Sequence, residues 1–229
     1  MMSESFLFKI SQTLFSKYKK NFSQLVIVLP SRRSSLFLTQ EFSKFISKPI
    51  WLPDFYSIED FVFNLNDLKR VNNLELFFEF YNVYRKHVNN PHDIDRCYKW
   101  AGGLLEDFNE IDKSHVKYSD LFNYLSDVKR IENWYLNIDS NQDEINEYLS
   151  FFKKLEVIYH NLTNTLLSDS IAYPGLSQRL IVDNLYKIEE WLRENKKEKI
   201  IFIGLDALSI SQEKMVDYLL KKNLCDIFW

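Results

Sequence analysis

The sequence contains few of the residues that make tight turns. It has 4 glycines and 5 prolines among 229 residues, whereas 46% of its residues are hydrophobic and 16% are aromatic. An all-β protein needs many tight turns, so this scarcity disfavours that class and favours helix with a small α/β component. A chain of this length and composition can bury one or two substantial cores.

Other absences narrow the cellular setting. The two cysteines, Cys97 and Cys225, are far apart and lack the spacing of a metal or redox pair, so both are expected to be reduced. No apolar run approaches about 18 residues, the length of a membrane span, and Met1–Phe15 lacks the small residues of a signal-peptide cleavage site. This pattern predicts a soluble cytoplasmic protein with no membrane partner.

One short basic segment stands out in a chain whose net charge is −3, so that any nucleic acid must be bound by a local patch. The apolar run Leu25–Leu29 stops at Pro30, a polar and basic loop follows, and helix-periodic apolar residues then begin. This pattern indicates a buried parallel-type strand that leads into a helix. Unpaired backbone N–H groups and the positive end of the helix dipole favour an anion where that helix opens. The residues at this position are Arg32, Arg33, Ser34 and Ser35.

The chain divides into three parts by pattern. Residues 1–71 and 196–229 alternate strands and helices, whereas residues 72–195 are almost entirely amphipathic helix. We expect the outer parts to form one α/β domain around a single small parallel sheet, with the middle part inserted as a separate helical lobe. Because the chain stops inside its last strand, we also expect it to be a fragment of a longer protein. The segments assigned to the sheet are Leu25–Leu29, Ile200–Ile203 and Asp226–Trp229, with an edge strand or irregular segment at Pro49–Pro53.

This order of elements resembles the first motor domain of superfamily 1 helicases, in which a 1A-like α/β domain carries an inserted helical 1B-like lobe. More closely, the chain resembles the N-terminal part of AddB/RecC-like subunits of helicase–nuclease complexes, in a branch that lacks the ATP site. The resemblance covers nearly the whole chain and rests on the order and spacing of several motifs, since no single motif is highly specific. The matching segments are Val26–Arg33 with Phe37 and Leu38, Pro49–Phe61, Trp100–Asp112, Tyr173–Leu176 with Arg179, and Ile201–Leu220.

The resemblance implies a role in the repair of DNA double-strand breaks. The segment around Val26–Arg33 is similar to helicase motif Ia, which packs on single-stranded DNA in active relatives, and Pro49–Phe61 is similar to the next motif along the DNA track. The family also implies a RecB/AddA-type motor subunit as partner, and a PD-(D/E)XK exonuclease domain with its Mg²⁺ beyond Trp229. The DNA-binding residues that the resemblance implies are Ser31, Arg32, Arg33, Ser34, Trp51, Phe55 and Tyr56.

Both halves of an ATP-hydrolysing site are missing from this sequence. No G-x-x-x-x-G-K-[S/T] motif occurs, so there is no loop of the kind that holds the phosphates of ATP. Active relatives place adjacent carboxylates after the strand at Ile200–Ile203 to hold Mg²⁺, and this chain has Gly204-Leu205 there. We therefore expect no catalytic residue, no metal and no cofactor in this part of the protein, and no specific binding of ATP.

The arginines and aromatic residues named above also have ordinary explanations. Exposed arginines are usually solvated, and aromatic residues flanked by proline usually pack in a local core. The functional interpretation of Arg32 and Arg33 is a phosphate site at a helix N-terminus. For Trp51, Phe55 and Tyr56 it is base stacking, which binds single strands with little sequence preference.

Two acidic patterns invite a metal-site interpretation that the spacing does not favour. Pro53-Asp54 followed by Asp67-Leu68-Lys69 matches the PD-(D/E)XK string, but the intervening residues have helical spacing, so the second carboxylate and the lysine are not expected on a strand beside Asp54. A second acidic group is interpreted as the solvated face of a helix. Its members are Glu106, Asp107, Glu110 and Asp112.

The main hypothesis is a catalytically inactive helicase-like domain that holds or scans single-stranded DNA. Two alternatives remain open. In the first, the helical insertion at residues 72–195 is a docking module for a RecB-type motor subunit, without direct DNA contact. In the second, the chain is an unrelated α/β enzyme that uses the Arg32-Arg33 loop to bind a small phosphorylated ligand.

Overall fold

The computed structural model describes residues 5–18, 21–125 and 142–229, and of residues 142–150, 152 and 153 it describes only the backbone. The chain forms two compact units. The sheet unit comprises Met1–Asp67 and Leu180–Trp229, and the helical unit comprises Leu68–Arg179.

Four parallel strands form the centre of the sheet unit. Their order across the sheet is β2–β1–β5–β6, so β1 and β5 are the inner strands. Val26 of β1 lies opposite Asp54 of β2 on one side and Ile200 of β5 on the other. All residues of β1 are buried, as expected for an inner strand with helices on both faces. The strands are β1 Leu25–Leu29, β2 Asp54–Ser57, β5 Lys199–Ile203 and β6 Cys225–Phe228.

Each face of this sheet has its own hydrophobic core. Side chains alternate along a strand, so Leu25 and Ile27 point to one face while Val26 and Val28 point to the other. Helices α1 and α2 cover the first face, and helices α3, α9 and α10 cover the second together with the end of α8. The helices are α1 Phe6–Tyr18, α2 Arg32–Ser43, α3 Ile58–Asn66, α8 Pro174–Asp183, α9 Tyr186–Glu194 and α10 Ile210–Lys221.

The predicted α/β class with one small parallel sheet is confirmed, and the strands at Leu25–Leu29 and Ile200–Ile203 are direct neighbours. Residues 49–53 are irregular, which is one of the two forms expected of them. The edge strand forms immediately afterwards at Asp54–Ser57, where no strand was predicted. Because proline lacks a backbone N–H group, the chain becomes free to pair with β1 only after Pro53.

Two short strands near the ends of the helical unit pair in parallel, β3 (Lys69–Arg70) and β4 (Ile171–Ala172). Its core is rich in aromatic rings, many of which meet edge to face, as their charge distribution favours. The Trp100 ring lies 5.5 Å from that of Tyr84 and 5.6 Å from that of Phe151, measured between ring centroids. The helices are α4 Asn73–His87, α5 Ile94–Lys113, α6 described over residues 118–125, α7 Gln142–Ser168 and the first part of α8.

Helix α9 belongs to the sheet unit. The sequence pattern assigns residues 72–195 to the insertion, whereas the compact helical unit ends at Arg179. The reason is that Ile188 and Leu192 of α9 are buried in the core that also contains Val26 and Ile200. Helical periodicity identified the helix, but periodicity does not indicate which core a helix covers.

The partly buried carboxylate of Asp226 connects the edge strand β6 to its neighbours. Lys17 Nζ lies 2.6 Å and the Tyr18 hydroxyl 2.5 Å from Asp226 Oδ2, and Lys199 Nζ lies 2.8 Å from Asp226 Oδ1. Partial burial alone would raise the pKa of Asp226, but the hydrogen bonds from Lys17, Lys199 and Tyr18 hold that pKa well below its usual value. The carboxylate therefore links α1, β5 and β6 in its ionised form.

We expect this linkage to make the sheet unit sensitive to acid. A carboxyl whose pKa is lower in the folded state stabilises the fold above its unfolded pKa, and that stabilisation is lost as the pH falls through the folded pKa. Asp226→Asn should lower the free energy of unfolding by roughly 1–2 kcal/mol at pH 7, and the difference from wild type should shrink below about pH 4. Urea unfolding of both proteins from pH 7 down to pH 3 measures this, and a difference that stays constant over that range would contradict it.

Candidate ligand-binding edge of the sheet

The carboxyl ends of the parallel strands meet at one edge of the sheet, where α/β proteins commonly bind ligands. At this edge β1 is followed by Ser31 and helix α2, and β2 by helix α3. The β5 strand leads through the loop 204–209 into α10, and Trp229 follows β6. We call this set of loops and helix starts the carboxyl edge.

Helix α2 opens at the carboxyl edge without a side-chain cap. The Ser31 side chain makes no capping hydrogen bond, and its Oγ lies instead 3.1 Å from Ser34 Oγ. By contrast, Ser57 Oγ accepts a hydrogen bond from the Asp60 N–H at the start of α3, and Ser209 forms a capping box at the start of α10. Of these three helix starts in the described residues, that of α2 therefore offers first-turn N–H groups to an anion.

Arg32 forms an ion pair with Asp60 and therefore differs from Arg33. Arg32 Nε and Nη2 lie 2.6 and 2.5 Å from the two carboxylate oxygens of Asp60, a bidentate pair that joins the start of α2 to that of α3. Arg32 and Ser57 donate to the Asp60 carboxylate and lower its pKa. The Arg32 charge is thus largely balanced, although its side chain remains exposed.

Arg33 is a basic side chain at this edge that stays available to a ligand. It is exposed and forms no ion pair with any residue that the structure describes. It follows Arg32 by one residue in the first turn of α2, next to the uncapped N–H groups. An anion bound here would therefore meet a positive side chain and the positive end of the helix dipole together.

The aromatic residues predicted to accompany the arginines do not share one surface. Because β1 and β2 are parallel, Trp51, which precedes β2, lies toward the amino ends of the strands, away from Arg33. Phe55 and Tyr56 are neighbours in β2 and pack on opposite faces of the sheet. The three rings therefore do not form one surface with each other, although Trp51 itself is 86% exposed.

The loop that follows β5 contains a single carboxylate, Asp206. Leu205 is buried in the core, and Asp206 is exposed beside Gly204. In the described parts of the chain, no group of three or more His, Cys, Asp or Glu side chains is placed to bind a metal ion. Asp67, part of the PD-(D/E)XK string, ends helix α3 in the left-handed conformation instead of lying on a strand beside Asp54.

A second constellation lies in the helical unit and is centred on Asp112. The hydroxyls of Tyr159 and Tyr173 donate to its carboxylate at 2.5 and 2.6 Å, and Arg179 Nε also donates to it. Arg179 Nη2 additionally donates to the backbone carbonyls of Ile111 and Val116. The prediction that Asp112 belongs to a solvated face is therefore wrong, since its side chain is fully buried.

The same helical unit contains a close approach between α5 and α8. The Gly175 N–H donates to Asn109 Oδ1 at 2.8 Å. A Cβ atom at position 175 would lie 2.2 Å from the Asn109 carbonyl oxygen, so glycine is required here by space. Together with Asp112 and Arg179, this contact joins the two segments of the insertion, Trp100–Asp112 and Tyr173–Arg179, that carry the family resemblance. The spacing of residues in the sequence did not reveal that these two segments meet.

Comparison with known proteins does not identify a family for this chain. Neither a scan against protein-family models nor a search of the curated proteins finds a match to this chain. Within the described residues, no helix combines the length and apolarity needed to cross a membrane.

Proposed function

We propose that the sheet unit binds single-stranded DNA at the carboxyl edge through Arg33 and the start of α2. We further propose that the chain is the catalytically inactive, helicase-like N-terminal part of an AddB/RecC-like exonuclease subunit that acts in double-strand-break repair. The observation that carries the first proposal is the uncapped start of α2 beside Arg33, which forms no ion pair with a described residue. The order of the elements and the quoted motifs support the second.

In this proposal the DNA backbone supplies the anion. Phosphate oxygens accept hydrogen bonds from the first-turn N–H groups of α2 and from Arg33, while the Arg32–Asp60 pair holds the two helix starts together. One free arginine and one helix start neutralise few phosphates. Binding should therefore be weak, near the non-specific range of about 10⁻⁴–10⁻⁶ M, and should weaken as salt rises.

The proposed division of labour follows from the missing ATP site. Without a phosphate-binding loop, or a carboxylate pair after β5, this part supplies no ATP-driven motion. A RecB/AddA-type partner would be the motor, and Mg²⁺ would belong to a PD-(D/E)XK domain of the full-length protein in the cytoplasm. The 229 residues themselves would hold DNA without reacting with it.

Two substitutions at the carboxyl edge should change DNA affinity in opposite directions. Arg33→Ala should weaken binding of a fluorescein-labelled dT oligonucleotide and reduce the slope of log K against log salt by about 0.7, because one phosphate contact is lost. Asp60→Asn should strengthen binding and steepen the slope, because it releases Arg32 from its ion pair. Fluorescence anisotropy at several salt concentrations measures both effects.

The matched control for these variants is Lys196→Ala. Lys196 is exposed on the loop that enters β5 at the opposite edge of the sheet, so its loss removes the same charge away from the proposed site. If Arg33→Ala and Lys196→Ala weaken binding equally, the effect is one of net charge and the proposed edge is wrong. Competition by inorganic phosphate, with no oligonucleotide binding, would favour the alternative of an enzyme for a small phosphorylated ligand.

One observation favours the docking alternative. Three large side chains of the helical unit, Leu74 and Phe78 of α4 and Tyr98 of α5, are 58%, 44% and 62% exposed. Exposed apolar clusters of this kind can serve as contact sites for other proteins. Loss of binding to a RecB-type motor subunit on changing Leu74 and Phe78 to serine, with unchanged DNA affinity, would support docking as the function of this unit.

A further inference from the structure

Helix α2 carries two large apolar side chains on its solvent side. Leu36 and Phe37 are 71% and 60% exposed, and neither belongs to the two hydrophobic cores of the sheet unit. The helix is already anchored to the sheet by Leu38 and Phe42, which are fully buried. Packing against the sheet therefore does not account for an apolar side chain at either exposed position.

The two exposed side chains lie on the same side of α2 as Arg33. Successive residues of an α-helix are turned by about 100°, so Arg33, Leu36 and Phe37 fall within roughly a third of the circumference, opposite Leu38 and Phe42. Residues three or four positions apart have Cβ atoms about 5–6 Å from each other, which makes Leu36 and Phe37 direct neighbours of Arg33. We call these three residues the outer face of α2.

The orientation of helical side chains brings the Phe37 ring closer to the proposed phosphate site. Side chains on an α-helix tilt toward its N-terminus, so Phe37 leans toward Arg33 and the uncapped start of α2. A flat apolar ring and a site for an anion are therefore about one helical turn apart.

The charges around the outer face select an occupant that carries a negative group. Glu41, the one acidic residue of α2, is paired with Lys44 at 2.6 Å, and Arg32 is paired with Asp60. Arg33 forms no ion pair with a residue that the structure describes. The outer face therefore presents an unbalanced positive charge next to exposed apolar surface. A nucleotide combines the two matching features, because its phosphate and its flat base are joined through one sugar.

We propose that Phe37 is the base-stacking residue of the single-stranded DNA site. A phosphate is held by Arg33 and the start of α2, and an adjacent base lies on the Phe37 ring, with Leu36 extending the apolar surface beside it. Stacking on an aromatic ring tolerates any sequence, because every base has a π-face. The inference rests on the proposed DNA function and adds a base contact to its phosphate contact.

A protein partner fits the outer face less well than a nucleotide. Stable protein interfaces bury about 800 Å² on each side, from about 20–30 residues, and the docking of a helix requires a groove. The apolar part of the outer face consists of Leu36 and Phe37 on a convex helix. Its extent matches one base, and the neighbouring Arg33 matches one phosphate.

The experiment removes the ring and keeps the side chain apolar. Phe37→Leu should weaken binding of a fluorescein-labelled dT oligonucleotide about tenfold, and Phe37→Trp should retain the affinity of the wild type. The slope of log K against log salt should stay unchanged in both variants, because stacking releases no counterions. Phe78→Leu is the matched control, since Phe78 is an exposed phenylalanine of the helical unit and its replacement should not change the affinity. Fluorescence anisotropy at several salt concentrations measures all three variants.

An oligonucleotide made of abasic sites separates stacking from damage to α2. This strand keeps the phosphates but has no bases, so wild type and Phe37→Leu should bind it equally. If Phe37→Leu weakens binding of the abasic strand as much as that of the dT strand, the ring does not contact a base and the stacking proposal is wrong.

The outcomes distinguish this inference from the DNA proposal. Oligonucleotide binding that depends on Arg33 but not on Phe37 would overturn the stacking proposal and leave the DNA proposal standing. Binding that depends on Phe37 but not on Arg33 would support stacking and overturn the phosphate contact at the start of α2. No oligonucleotide binding, together with binding of a RecB-type motor subunit that Phe37→Leu abolishes, would overturn both proposals and show that a protein covers the outer face.

Discussion

Asp112→Asn should destabilise the helical unit by about 3–5 kcal/mol, the effect of breaking a buried ion pair by removing one partner. The Asp112 side chain is fully buried and that of Arg179 is 11% exposed, so neither charge has much contact with water. The amide would still accept a hydrogen bond from Tyr159 or Tyr173. It would leave the Arg179 guanidinium without its counter-charge in the interior.

The groups around Asp112 cannot rearrange to compensate for the loss of its negative charge. Burial raises the pKa of Asp112, while hydrogen bonds from both tyrosines and the charge of Arg179 oppose that rise. Burial beside this carboxylate also raises the pKa values of Tyr159 and Tyr173 far above their usual range, so both remain hydroxyl donors. All three partners therefore donate to one charged acceptor, and an amide, which has only one accepting oxygen, cannot satisfy all of them.

Hydrogen exchange followed by mass spectrometry measures the effect by region. Asp112→Asn should accelerate exchange in residues 68–179 far more than in the strands of the sheet unit. Asp107→Asn is the control, because it makes the same chemical change at an exposed position of the same helix. Equal stability of the two variants would show that the Asp112–Arg179 pair does not stabilise the unit.

Gly175→Ala should have an effect of similar size by a steric route. The new methyl group would lie 2.2 Å from the Asn109 carbonyl oxygen and 2.9 Å from Asn109 Oδ1, so α5 and α8 must move apart. That movement would also break the buried hydrogen bond from the Gly175 N–H. Overpacking and the lost hydrogen bond together predict a destabilisation of about 3 kcal/mol or more.

Gly103→Ala provides a matched comparison of opposite sign. Gly103 lies inside α5, and a Cβ atom there would meet nothing within 4 Å. Because alanine favours a helix over glycine, this variant should be more stable than wild type by about 0.5–1 kcal/mol. Urea unfolding of both alanine variants tests the pair, and destabilisation by Gly103→Ala would mean that its surface is covered in solution.

Much of the fold could be predicted from the sequence because its strongest signals are local. The apolar runs Leu25–Leu29 and Ile200–Ile203 are typical of inner parallel strands, and both form such strands. The glycine pair Gly102-Gly103 suggested close helix approach or a break, but α5 continues through it with open space around both residues. A glycine in the sequence shows that a side chain is absent. Only the structure shows whether a neighbouring element occupies the space that the side chain would fill.

The candidate site was predictable only in part. The strand–loop–helix pattern predicted the start of α2. The Arg32–Asp60 pair and the separation of Trp51 from Arg33 depend instead on how β1 and β2 align. Asp112 shared its helix with three exposed carboxylates, and its burial depends on partners far along the chain, Tyr159, Tyr173 and Arg179. Contacts of this kind leave no periodic trace in a single sequence.

The strand order has a consequence for synthesis on the ribosome. The inner strand β1 must pair with β5, but all of residues 58–198 are made between β2 and β5. At about 5–20 residues per second, β1 waits on the order of ten seconds with an apolar edge unpaired. The helical unit is continuous in sequence and can fold during that interval. Nascent chains should therefore be most prone to aggregation, and most in need of a chaperone, before Lys199–Ile203 emerges.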